Sequence, residues 1–193
     1  MDERELREEE ILRQAAKVFK EKGYHGASVQ DIADAVGMQK GSLYYHIEGK
    51  EDLLFRVMDR GMGTVLAPLE AVARLQAPPA ARLRLAVENH VRLLTENLDP
   101  LTVVLQDHRA VLGARRKPYL SRRKRFEELL RQIIAGGVAE GAFRPVDPRL
   151  ATLAILGMCN WLVVWYRPDG RLSPDEIAAA FADLALHSLL SPT

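Results

Sequence analysis

The sequence holds one cysteine, Cys159, in 193 residues. That excludes an intrachain disulfide and any cysteine-only zinc site. Aromatic residues make up only 6%, and 13 glycines and 10 prolines exclude collagen-like or proline-rich low complexity. No apolar stretch opens the chain. Met1–Glu10 is acidic, so no secretory signal is expected and the cytoplasm is the expected location. Neither charge sign dominates: 27 Lys+Arg face 26 Asp+Glu, a net charge of +1, which argues against a uniformly basic nucleic-acid coat. One long uncharged run exists, the 17 residues Leu150–Tyr166. It is shorter than the roughly 20 residues of a membrane span. It also contains Thr152 and Asn160, so it reads as a soluble helix covered on both faces, not a membrane segment. The G-x-S-x-G, H-E-x-x-H, P-loop and dinucleotide patterns are missing, so no enzyme activity, catalytic residue, metal or cofactor is expected. His90 and His108 are isolated, with no adjoining ligand set.

Helical periodicity is what the chain does have. Ile11, Leu12, Ala15, Ala16, Val18 and Phe19 form one apolar face, and Gly23 supplies a stop. Ser28-Val29-Gln30-Asp31 is a capping-box start, and Gly37 ends the short helix that follows. Gln39 to His46 has the length of about two turns of a third helix. Lys50-Glu51-Asp52 opens a fourth, in which Gly61, Gly63 and Pro68 predict a bend or a joint between domains. Further helices are expected from about 80 to 97, from Asp99 to Leu112, and after the basic stretch through Phe126 and Ile134 to Gly141. Asp147-Pro148 and Ser173-Pro174-Asp175-Glu176 are cap-plus-proline starts for the last two. No strand pattern or long repeat appears. The expected fold is all-α with nine helices.

Charge is uneven along the chain. Residues 1–60 carry 10 basic and 13 acidic side chains, whereas residues 109–125 carry eight basic and no acidic ones. Contact with nucleic acid must therefore be local. Residues 28–47 supply the means: two short helices joined by a glycine-containing turn make a helix-turn-helix, whose second helix enters the major groove. Gln39, Lys40, Gly41 and Ser42 stand at the N-terminal end of that helix, and Gly41 lets backbone approach DNA closely. Tyr44, Tyr45 and His46 offer donors to phosphates, with one of the two tyrosines expected to pack the small domain instead. Lys50 opens the next helix where an ammonium suits a phosphate, and Leu43 and Ile47 are core positions.

At this point the stretch from Ile11 to Leu54 closely resembles the TetR/AcrR family of bacterial transcriptional regulators. Ala15-Ala16, Phe19, Gly23-Tyr24, Ser28, Ile32-Ala33, Val36-Gly37, Gly41-Ser42-Leu43-Tyr44-Tyr45-His46 and Lys50-Glu51-Asp52-Leu53 fall at the family spacings. Ile47 and Glu48-Gly49 depart from the family pattern. The resemblance implies a nine-helix fold, with a DNA-binding helix-turn-helix domain at 1–50 and an effector-binding and dimerisation domain at 51–193. It implies a homodimer joined through the last two helices, about 148–166 and 174–190, on double-stranded, pseudo-palindromic operator DNA. Repression would be lifted when a small molecule shifts the population to a dimer whose heads no longer match the operator. Ser28, Gln39, Lys40, Gly41, Ser42, Tyr44, Tyr45, His46 and Lys50 are the expected DNA-contacting residues.

The stretch from Asn160 to Pro174 is similar to a segment of family members that regulate fatty-acid and sterol degradation and respond to acyl-coenzyme A. It implies a long-chain acyl-CoA effector. His108, Arg109, Arg115, Arg122, Asn160, Trp161 and Trp165 are the expected effector residues. Arginines would hold the coenzyme phosphates and the two tryptophans would wall the acyl pocket. The competing expectations are a regulator answering a different hydrophobic compound, such as a drug or efflux substrate, and a helical adaptor that binds no DNA.

Overall fold

A computed structural model of the chain describes residues 3–107, 110 and 113–190. Ten helical segments and no strand occur among the described residues: α1 Glu3–Gly26, α2 Val29–Val36, α3 Lys40–Leu43, α4 Lys50–Arg74, α5 Pro79–Glu96, α6 Leu98–Gln106, α7 Gly113–Ala139, α8 Pro148–Asn160, α9 Leu162–Trp165 and α10 Pro174–Leu189. The run expected as one helix at 148–166 is divided by a turn at Trp161 into α8 and the four-residue α9. With that run taken as one, the nine expected helices are present.

The caps form as the sequence foretells. Ser28 Oγ accepts from the Asp31 N–H while the Asp31 carboxylate accepts from the Ser28 N–H, and Ser173 with Glu176 repeats the arrangement on α10. Asp147 accepts from the N–H groups of Arg149 and Leu150. These side chains satisfy amides that a helix start leaves without partners. Gly23 breaks the helical geometry of α1 near its end, at φ 68 and ψ 160.

The chain divides into two compact units. One holds residues 1–63 and 99–120, the other 64–98 and 121–193. The helices α4 and α7 contribute residues to both. In the first unit, Ile11, Phe19, Ile32, Leu43, Leu53 and Met58 form a fully buried core. Gly61 lies buried within it. A Cβ there would come within 2.9 Å of Val104 Cγ2, so its absence admits α6. Tyr119 is wholly buried, and its hydroxyl donates to the Val104 carbonyl at 3.2 Å. In the second unit, α5 packs against α8, α9 and α10 around Leu83, Val91, Leu162 and Ile177.

Two expectations about extent are corrected. The α-helical part of the third helix stops at Leu43. Tyr45 and His46 donate to the carbonyls of Ser42 and Leu43, three residues back, so the segment tightens into a turn. The basic stretch, expected to precede its helix, is itself helical from Gly113. Like charges one turn apart cost a few tenths of a kcal/mol per pair. Acids offset that here: Arg115 meets Asp52 and Glu48, Arg123 meets Glu127, and Arg125 meets Glu70.

Candidate nucleic-acid interface and effector pocket

The helix-turn-helix is shaped by one glycine and two buried anchors. Gly37 sits in the left-handed region at φ 71 and ψ 33, a conformation that costs a Cβ-bearing residue energy. Its N–H and that of Met38 close the end of α2 on the carbonyls of Ala33 and Asp34. The chain then turns into α3. Leu43 and Ile47, buried as expected, root that segment in the core. Gln39, Lys40, Gly41 and Ser42 are left exposed, and His46 is half-buried. A Cβ on Gly41 would meet nothing inside the chain, and its backbone is helical, so internal packing does not explain the glycine. Both tyrosines face outward, Tyr44 at 48% and Tyr45 at 90% exposure, so neither packs the small domain in the way expected of one of them. The Arg56 guanidinium holds the far end of the segment by donating to the His46 carbonyl at 2.8 Å and to Glu8 at 3.1 Å.

Ser28 and Lys50 have internal tasks. The Ser28 hydroxyl is the cap of α2. Lys50 Nζ donates to the carbonyls of Tyr24 and Ala27, each at 2.9 Å, and stands 4.4 Å from the centre of the Tyr24 ring. Burial pushes the Tyr24 phenol up. Lys50 thus pins the chain between α1 and α2.

The expected effector residues that are described fall in both units, Arg115 in the first and Arg122, Asn160, Trp161 and Trp165 in the second. His108 and Arg109 lie outside the described residues. Arg115 is committed within the first unit: it donates to Asp52 Oδ1 at 2.8 Å and to Glu48 Oε2 at 2.7 Å, and lies over the Phe55 ring. Arg122 is exposed on α7. Trp161 and Trp165 are 61% and 41% exposed and are not among the residues lining the pocket beside His90. They continue an outward apolar face with Leu150, Leu153 and Val164, while Ile155, Leu156, Cys159 and Leu162 turn inward.

Asn160 has a specific partner that the sequence did not foretell. Its Oδ1 lies 3.0 Å from His90 Nε2. His90 on α5 is half-buried, and burial pushes its imidazole below the ordinary histidine range, the Asn160 bond opposing in part. Its ring leans on Phe126 of α7, centroids 5.2 Å apart. His90 borders a small apolar pocket in the second unit, otherwise lined by Leu69, Phe126, Leu130, Ile155, Cys159 and apolar neighbours. Burial pushes the Cys159 thiol up to about 12, so it serves as a small hydrophobe. The available signal was a histidine between Val87 and Val91 on the apolar face of α5. No group of three or more His, Cys, Asp or Glu able to hold a metal occurs among the described residues.

The comparisons with known proteins give one picture. Residues 11–57 match the family model "Bacterial regulatory proteins, tetR family", and residues 76–189 match "Tetracyclin repressor-like, C-terminal domain". The chain is 29% identical to the HTH-type transcriptional repressor KstR2 of Rhodococcus jostii (strain RHA1), over 96% of this chain and 92% of that protein. Among solved structures it is similar to the regulator PfmR of Thermus thermophilus, with 39% identity, a TM-score of 0.84, and 92% and 97% of the two chains covered. It is also similar to AibR, solved in complex with isovaleryl coenzyme A and operator DNA, with 32% identity, a TM-score of 0.84, and 97% and 100% covered.

Proposed function

The chain belongs to the TetR family of bacterial regulatory proteins, and from that premise we propose that it is a repressor released from its operator by a short-chain acyl-coenzyme A. It is a DNA-binding transcriptional regulator and not an enzyme. The observation that carries the DNA reading is the outward array of Gln39, Lys40, Gly41, Ser42, Tyr44 and Tyr45 on a segment rooted by buried Leu43 and Ile47. Polar side chains at the start of α3 suit base edges. The tyrosine hydroxyls and His46 suit phosphates. We assign DNA binding to residues 1–50 and effector binding and dimerisation to 51–193. The cytoplasm, where the DNA lies, is the proposed location.

The apolar surface of α8, α9 and α10 supports a homodimer. Leu150, Leu153, Trp161 and Trp165, with Leu184 on α10, leave a patch of a kind monomers rarely expose. Pro148–Trp165 has a mean hydropathy of 1.3, enough by length and composition for a membrane helix. A second copy of the same helices covers that face. A two-fold dimer then asks for a two-fold operator.

For the effector, support comes from the isovaleryl coenzyme A bound to AibR and from the pocket between α5, α7 and α8. The isovaleryl group of that complex favours a short acyl chain over the long chain first expected. The exposed Arg122 is the proposed partner for coenzyme phosphates. The test is operator binding over a salt series, with and without butyryl-CoA or free butyrate. A repressor of this kind loses DNA affinity steeply as salt rises. The thioester should release the operator and the free acid should not. Release by both alike, or only by an unrelated drug-like compound, contradicts the acyl-CoA reading. Absence of any sequence preference favours the adaptor instead.

A further inference from the structure

Within the second unit, the effector pocket is apolar except at one point. His90 is half-buried, and its Nδ1 is shut off from solvent with no hydrogen-bond partner. Such a group is unusual, because buried nitrogens are nearly always paired. Its other nitrogen is fixed: Asn160 Oδ1, an acceptor, lies 3.0 Å from Nε2, so Nε2 carries the proton. A neutral imidazole has one donor and one acceptor, which leaves Nδ1 as a bare acceptor bordering the pocket. A trapped water is a poor occupant, since it needs two to four polar partners and the surrounding Leu69, Phe126, Leu130 and Ile155 offer none.

We infer that the His90–Asn160 pair is the specificity-determining anchor of this pocket, and that it selects an effector whose small apolar portion carries a hydrogen-bond donor, a hydroxyl group above all. Asn160 orients the ring and keeps the proton on Nε2. Nδ1 accepts from the ligand hydroxyl, and Phe126, against the imidazole, helps hold the ring in place. A site built around a buried acceptor rejects the analogue that lacks the donor, because binding that analogue seals the acceptor in unsatisfied. This inference deepens the acyl-CoA reading by distinguishing a hydroxyacyl group from a plain one.

The experiment compares 3-hydroxybutyryl-CoA with butyryl-CoA by calorimetry on the full-length protein. A parallel nitrogen NMR titration of the His90 ring uses 3-methylbutan-1-ol, which carries the hydroxyl without the coenzyme. The hydroxylated thioester should bind roughly 5- to 100-fold more tightly than the plain one. In the free protein, Nδ1 should resonate as a bare pyridine-type nitrogen, and the alcohol should move it. His90→Phe alone leaves Asn160 unpaired, so the companion variant is His90→Phe with Asn160→Leu, in which both polar partners become apolar. That double variant should still bind operator DNA and should bind the two thioesters equally. Equal binding by the unmodified protein, or a proton found on Nδ1, overturns the inference. If neither thioester binds while the alcohol moves Nδ1, the inference stands and the acyl-CoA reading fails.

Discussion

Replacing Arg115 by Met should destabilise the protein without touching effector binding. Its guanidinium spans two carboxylates, Asp52 Oδ1 at 2.8 Å and Glu48 Oε2 at 2.7 Å, which differ in worth. The Glu48 side chain is 83% exposed, so that arm contributes about 0–1 kcal/mol. The Asp52 side chain is 11% exposed, and a charge-assisted bond there is worth about 1.5–3 kcal/mol. Arg56 lies 3.7 Å from the other Asp52 oxygen and retains part of the compensation. A loss of about 2 kcal/mol follows. In a chain of this size it lowers Tm by roughly 4–8 °C at fixed protein concentration. Thermal and urea unfolding measure the loss, and a double-mutant cycle with Asp52→Asn isolates the pair. Coupling of about 1 kcal/mol or more is expected. Additivity within about 0.3 kcal/mol would refute the assignment. A large loss of acyl-CoA affinity in Arg115→Met would show that the arginine serves the ligand after all.

Three further outcomes are expected. Lys50→Ala should cost about 2 kcal/mol of stability, because two carbonyls lose a charged donor, yet leave the salt dependence of DNA binding unchanged. A slope shallower by about one unit would restore a phosphate contact. Asp31 is held well below its ordinary value of 3.8, chiefly by the Lys22 ammonium and then by Ser28. Below 3.8 the unfolded state takes up the proton first, so this stabilisation is full above that pH and disappears as acid reaches the native carboxylate. Urea midpoints should therefore fall more steeply between about pH 4 and 2 in the parent than in Asp31→Asn, and parallel curves would contradict this. Cys159, at 1% exposure, should react with a thiol reagent roughly 10³-fold or more slowly in the native protein than in denaturant. Rapid native labelling would show the second unit to be more open than described.

Features written in local sequence were legible. Ser28, Asp147 and Ser173 announce helix starts because a cap is decided within three or four residues. Leu43 and Ile47 announce themselves as core by spacing. The internal partners of Lys50 and Arg115 are not legible because they lie far along the chain: Lys50 reaches carbonyls 23 and 26 residues away, and Arg115 reaches carboxylates 63 and 67 away. A cation read in isolation suggests a phosphate, whereas the fold gives it a carbonyl or an acid. The α-helical part of α3 stops early for a related reason, since propensity does not distinguish an α turn from the tighter one that Tyr45 and His46 adopt. His90 joined the site only when folding set α5 beside the end of α8.

The most direct measurement is enrichment of duplexes from a random DNA pool by the full-length protein, beside a variant carrying Gln39→Ala and Tyr45→Ala. Both side chains are exposed, so the variant should keep its fold and stay within about 0.5 kcal/mol of parent stability. The parent should enrich a two-fold symmetric sequence with a fixed half-site spacing, and the variant should lose that preference. Enrichment of the same sequence with the same affinity by both proteins, or of none by the parent, would place the DNA contact elsewhere.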